Sequence, residues 1–151
     1  MSDMERVFGE VIDSRVANVL DRTARITVRL PIVTRSAIAV ARRFYGGVWI
    51  GGRAVLRERS LQFAANSTNA AMHDRGTSFV VRLSRVRRIT VRRGFVTDII
   101  TIVVEPESPG EREAPDAPGA LLAGDGLDRL ELRCWRAQRF AHRIEEAVAA
   151  L

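Results

Sequence analysis

Between Phe44 and Phe63 the sequence FYGGVWIGGRAVLRERSLQF narrows the choice of fold more than any other stretch of the chain. Apolar and polar residues alternate along it. Glycine pairs interrupt it at Gly46-Gly47 and Gly51-Gly52, and a charged turn follows at Arg57-Glu58-Arg59. A period of two, broken by glycines and a short turn, predicts the opening ribbon of a small antiparallel sheet. Val55 and Leu61 to Phe63 supply apolar residues, while Arg53, Arg57 and Arg59 place charge beside the turn.

Further strands follow from the same pattern. IAVARRF, beginning near Ala37, predicts a first strand, 47–56 a second and 60–65 a third. FVVRL (79–83), VRRITVRR (86–93), VTDIITIVV (96–104) and LDRLELRC (127–134) complete seven, with Gly94 marking a turn. The loop NSTNAAMHDRGTS (66–78) is polar. From Trp135 to Leu151 the apolar residues Ala137, Phe140, Ala141, Ile144, Ala147, Val148 and Leu151 share one helical face. Arg136, Gln138, Arg139, Arg143 and Glu145 make the other, and His142 falls at the edge of the stripe, where a partly buried structural role is expected.

At the other end, Met4, Val7, Phe8, Val11, Ile12, Val16, Val19 and Leu20 recur at spacings of three and four, which predicts an amphipathic helix over 4–20. ARITVRL (24–30) reads as a short strand or as the fraying end of that helix, and Pro31 ends it either way. The expected division is an N-terminal helix with its connector (1–34) and a sheet domain (35–151). Four of the five prolines fall between Glu105 and Gly126, and this acidic segment lacks the apolar residues to offset its ordering entropy. It is expected to be a mobile loop.

Charge is the best functional clue. The net charge is +6, and all 24 basic residues are arginine. A lysine-free chain rich in Ala, Gly and Val has the bacterial-looking composition of a GC-rich genome. Codon bias does not explain the distribution, however. Residues 35–104 carry thirteen Arg against three acids, whereas 105–126 carry one Arg against six acids. A positive face beside an acidic segment is implied.

Several motifs together resemble the GRAM branch of the pleckstrin-homology-like superfold. Gly47 matches the family's first glycine, and Gly51-Gly52-Arg53-Ala54-Val55-Leu56 looks like its glycine-pair strand. Ser60-Leu61-Gln62-Phe63 is similar to its returning strand, Asn66 to Asn69 to the polar loop after it, and Val81 to Val86 to its Leu-Ser-x-Ile element. Arg57 and Arg59-Ser60 depart from the family pattern at the turn. The resemblance implies a mainly β, α+β fold: a seven-stranded bent barrel of two orthogonal sheets, capped by the C-terminal helix, with the N-terminal helix added. It also implies a non-enzymatic module that binds lipid headgroups or proteins.

Arginine forks grip phosphate with paired hydrogen bonds. The candidate anion-binding residues are therefore Arg53, Arg57 and Arg59 by the hairpin, and Arg85, Arg87, Arg88, Arg92 and Arg93 on the middle strands. Their partner is expected to be an anionic lipid headgroup or an acidic protein surface; solvated strand faces in an arginine-biased composition are the plainer alternative. A competing protein-interaction or self-association surface is Val7, Phe8, Val11, Ile12, Val19 and Leu20 on the N-terminal helix. Nucleic acid is disfavoured, because no aromatic residue interleaves the arginines of 82–93. His73, His142 and Cys134 lack metal-ligand spacing, no carboxylate pair serves acid–base work, and no cofactor is expected. No run reaches the roughly 18 apolar residues of a membrane helix. A cytoplasmic location with peripheral attachment at the inner membrane face is the expectation.

Overall fold

The computed structural model describes residues 3–21, 46–68, 78–105 and 129–151. A short helix, α1 (Asp3–Phe8), leads into β1 (Val11–Asp21), followed by β2 (Val48–Arg57), β3 (Ser60–Ala65) and β4 (Ser78–Arg82). A 3-10 turn, Leu83–Arg85, connects to β5 (Val86–Arg92), and β6 (Ile99–Val104), β7 (Arg129–Cys134) and α2 (Ala137–Ala149) complete the order. The seven strands form one antiparallel sheet in the order β4-β3-β2-β1-β7-β6-β5.

That order forces the sheet to curl. Seven strands laid flat would separate β4 from β5 by six spacings of about 4.8 Å, roughly 29 Å. The three residues between them reach at most about 14 Å. Only a bent sheet brings its two edge strands within reach of so short a link. α2 packs on β5, β6 and the 3-10 turn and closes one end.

Inside lie Ala17 and Val19 of β1, Ile50, Ala54 and Leu56 of β2, Leu61 and Phe63 of β3, and Ile100, Ile102 and Val104 of β6. Alternation supplies these positions, since successive strand residues point to opposite faces. Leu83 anchors the turn, and Phe140, Ala141, Ile144 and Ala147 bring the apolar face of α2 into the same cluster. Two glycines are required by their surroundings. Gly52 sits opposite Ala65, and a Cβ there would collide with the Ala64 carbonyl oxygen and the Phe63 ring. Gly9 (φ 79°) ends α1 in the left-handed region against the Glu58 side chain.

The structure corrects the reading of residues 4–20. A helix is present but stops at Phe8, and 11–21 is a strand at the centre of the sheet, paired with β2 and β7. The helical spacing has a strand origin. A bulge at Val11/Asp13 shifts the alternation, after which Ala17 and Val19 point inward while Leu20 is buried from the opposite face. The summed pattern imitates a period of 3.6. The Arg57–Arg59 turn joins the second and third strands, as the sequence pattern predicts. The expected strand at 37–44, the segment 24–30 and almost all of the acidic segment lie outside the described residues. In α2, His142 is exposed on the polar face, beside Glu145 and Glu146, because it falls outside the stripe that meets the sheet.

Candidate anion-binding surfaces

One set of arginines lies by the β2–β3 turn and the start of β5, and a second runs along β5 and its neighbours β6 and β7. At the first, the β2–β3 turn lies against α1 and the 3-10 turn. The Arg59 amide donates to the Phe8 carbonyl at 3.1 Å, and the Leu83 amide donates to the Arg59 carbonyl at 3.0 Å. Arg59 therefore neighbours Arg82, whose strand partner is Ser60. Both are exposed.

Arg57 is different. Its Nη1 donates to the Gly9 carbonyl at 3.0 Å, and its Nε is buried with no acceptor among the described residues. It holds the N-terminal segment and is poorly placed to meet a ligand. Arg85 donates to the Glu105 carbonyl, and Arg87 pairs with the Glu105 carboxylate. The Arg87 contact holds the Glu105 carboxyl below its usual range, foremost through the hydrogen bond. In turn it raises the guanidinium pKa of Arg87.

At the second region the outward faces of β5, β6 and β7 align. Arg88, Val103 and Arg129 form one row, Thr90, Thr101 and Glu131 the next, and Arg92, Ile99 and Arg133 a third. Glu131 is only 3% exposed and accepts from Arg129 at 2.9 Å and from Arg92 at 3.3 Å. A buried carboxylate needs such partners to offset its lost hydration, so Arg92 and Arg129 neutralise it. Arg133 stacks on the Trp49 ring, 4.9 Å from its centre, and donates to Thr97 Oγ1 at 3.3 Å.

Of the eight sequence-predicted arginines, Arg59, Arg88 and Arg93 are exposed and have no acidic partner among the described residues. Arg53 is exposed and donates to Ser14 Oγ at 3.1 Å, which leaves its charge unopposed among the same residues. Arg57, Arg85, Arg87 and Arg92 are committed to internal contacts. The proposed interaction residues are also divided: Val7, Val11 and Ile12 are exposed, Phe8 is half-buried, and Val19 and Leu20 are buried.

Sequence reasoning passed over a further group at the second region. Phe95 and Val96 cap the β5–β6 connection, and Trp135 follows β7; all three are largely exposed. Arg136, next in the chain, holds a left-handed backbone (φ 54°, ψ 47°), which costs a non-glycine residue about 1–2 kcal/mol. The available signal was an aromatic residue beside arginine at a connection, in Arg93-Gly94-Phe95 and in Trp135-Arg136.

Among the described residues no helix is long and apolar enough to cross a membrane. No protein-family model matches the chain, and no curated protein matches it in sequence. Among solved structures it is similar to the Vps36 N-terminal PH domain, with a TM-score of 0.51 at 10% identity, over 93% of this chain and 80% of that one. At such identity the likeness speaks for the fold alone. The chain thus has a pleckstrin-homology-like fold: seven antiparallel strands in one bent sheet, a closing C-terminal helix and a short N-terminal helix.

Proposed function

We propose that this chain is a non-enzymatic binding module that attaches to anionic membrane headgroups through exposed arginines, as a peripheral protein at the inner membrane face. One observation carries the reading: in a pleckstrin-homology-like fold, Arg53, Arg59, Arg88 and Arg93 project charge with no acidic partner among the described residues. Guanidinium groups left in that state suit phosphate oxygens, which they bind in a bidentate manner. The GRAM-type assignment, supported by the run from Gly47 to Phe63, agrees with such a module.

The test is sedimentation with neutral and anionic vesicles across a salt series, on wild type, Arg53→Glu/Arg59→Glu and Arg88→Glu/Arg93→Glu. Pelleting only with anionic vesicles, weakened by salt and by charge reversal, supports the reading. Equal pelleting with neutral vesicles, or none at low salt, refutes it. Arg57 is left alone because reversing it would disturb the Gly9 contact.

A second reading, a protein-interaction or self-association surface, is favoured by the exposure of Val7, Val11 and Ile12 beside the β2–β3 turn. Such a contact is apolar and survives high salt. Sedimentation velocity at high salt tests it: a self-association lost on Val7→Asp/Val11→Asp supports it, and a monomer at all concentrations removes the self-association form.

A further inference from the structure

Phe95 is 96% exposed, Val96 76% and Trp135 73%, which makes them the three most exposed large apolar residues among those described. Val96 and Trp135 line one open recess together with Thr97, Asp98, Cys134 and Arg136, and Phe95 immediately precedes Val96 in the chain. The rigid parts of the fold position them. Gly94 approaches the Thr97 carbonyl so closely that no Cβ fits there, which fixes the short β5–β6 connection. Trp135 follows Cys134, the register partner of Ala17, and its carbonyl accepts from Arg15 Nη1 at 3.2 Å. Val16, 71% exposed, lies next to this point on β1 and faces Arg53 of β2.

The charge around this apolar tip is predominantly positive. Arg93, Arg136 and Arg139 are exposed, and none has an acidic partner among the described residues. Asp98 is the one acid on the two segments and is half-buried. Phenylalanine and tryptophan at the tip of a loop, ringed by arginines, match the two layers of a membrane surface. Aromatic side chains settle at the headgroup boundary, and cations beside them meet anionic phosphates. A protein partner with an acidic rim would meet the charge requirement, but the near-complete exposure of Phe95 on a short connection suits entry into a fluid layer better than a preformed pocket.

We infer that the β5–β6 connection and the Trp135–Arg136 turn form a wedge that enters the headgroup layer of an anionic bilayer. Phe95, Val96 and Trp135 insert, and Arg93, Arg136 and Arg139 pair with lipid phosphates around them. The inference rests on the proposed membrane-binding reading and adds the point of entry.

The test uses the whole chain with phosphatidylcholine vesicles, with and without phosphatidylglycerol, carrying brominated acyl chains. The tryptophan emission of wild type is compared with that of Trp135→Phe, which leaves the half-buried Trp49 as the background. Expected is bromine quenching of wild type that largely disappears in Trp135→Phe, together with a loss of affinity of about tenfold or more in Phe95→Ala. Phe95→Trp retains the affinity. If wild type binds anionic vesicles but Trp135 escapes quenching and Phe95→Ala binds equally well, the wedge is refuted and charge-driven binding stands. If wild type binds neither vesicle, both readings fall. The exposure of Phe95 keeps its substitution from unfolding the protein, which a thermal melt of Phe95→Ala verifies.

Discussion

The same substitution made at two phenylalanines tests the architecture sharply. Phe140, on the inner face of α2, is fully buried in the core, whereas Phe95 is almost fully exposed. Phe140→Ala removes a ring that packs where the helix closes the sheet, and neighbours on rigid strands collapse only in part around the void. The expected cost is about 3–5 kcal/mol. The Arg15 guanidinium, 5.5 Å from the ring centre, also loses its aromatic partner. Asp13 and the Trp135 carbonyl still hold that side chain, so this adds at most about 1 kcal/mol. For a domain of this size 1 kcal/mol corresponds to about 2–4 °C, so the melting temperature should fall by roughly 6–20 °C. Phe95→Ala should stay within about 0.5 kcal/mol of wild type. Urea denaturation followed by circular dichroism measures both, and an unchanged denaturant slope ensures that the comparison concerns the native state. A cost below about 1 kcal/mol for Phe140→Ala, or equal costs at the two sites, would refute this packing of α2.

Gly52→Val should destabilise by about 1–3 kcal/mol in the same assay, because its side chain meets the Ala64 backbone across the β2–β3 pair. Removing residues 1–8 should leave a cooperative unfolding transition, whereas removing 1–21 takes away the strand between β2 and β7 and should abolish it. Burial pushes the Cys134 thiol up to about 11, and so an aromatic disulfide reagent at pH 8 should label it only after unfolding. Because the folded value lies above the unfolded one, about 8.5, the thiol's contribution to stability is complete below the unfolded value. It is lost as pH rises through about 11. The Glu105 carboxyl should titrate below an ordinary glutamate in carbon-detected NMR, and Arg87→Gln should return it toward the ordinary value.

Much of the sheet was legible because its strands carry local signals. Gly46-Gly47 and the Arg57–Arg59 turn bracket β2, IITIVV has the β-branched run of a buried strand, and Phe140, Ile144 and Ala147 recur at the helical period. β1 was misread for a physical reason. Its apolar residues serve two faces and pass a bulge, so their spacing reports contacts with β2 and β7 that a local pattern does not contain. The site was legible only as a surplus of arginine. Which guanidinium groups stay available depends on distant acids: Glu131, thirty-nine residues from Arg92, and Glu105, eighteen from Arg87. Such pairings are set by sheet register. The exposure of Phe95 and Trp135 likewise follows from where the β5–β6 connection and the β7–α2 turn meet.

The measurement that bears most directly on membrane attachment is backbone-amide NMR of the protein titrated with nanodiscs of phosphatidylcholine, with and without phosphatidylglycerol. Signals of Arg93 to Thr97 and Trp135 to Arg139 should broaden first and only with the anionic lipid, and rising salt should reverse the effect. Broadening confined to Val7, Val11 and Ile12, or no change with anionic nanodiscs at low salt, would contradict the account.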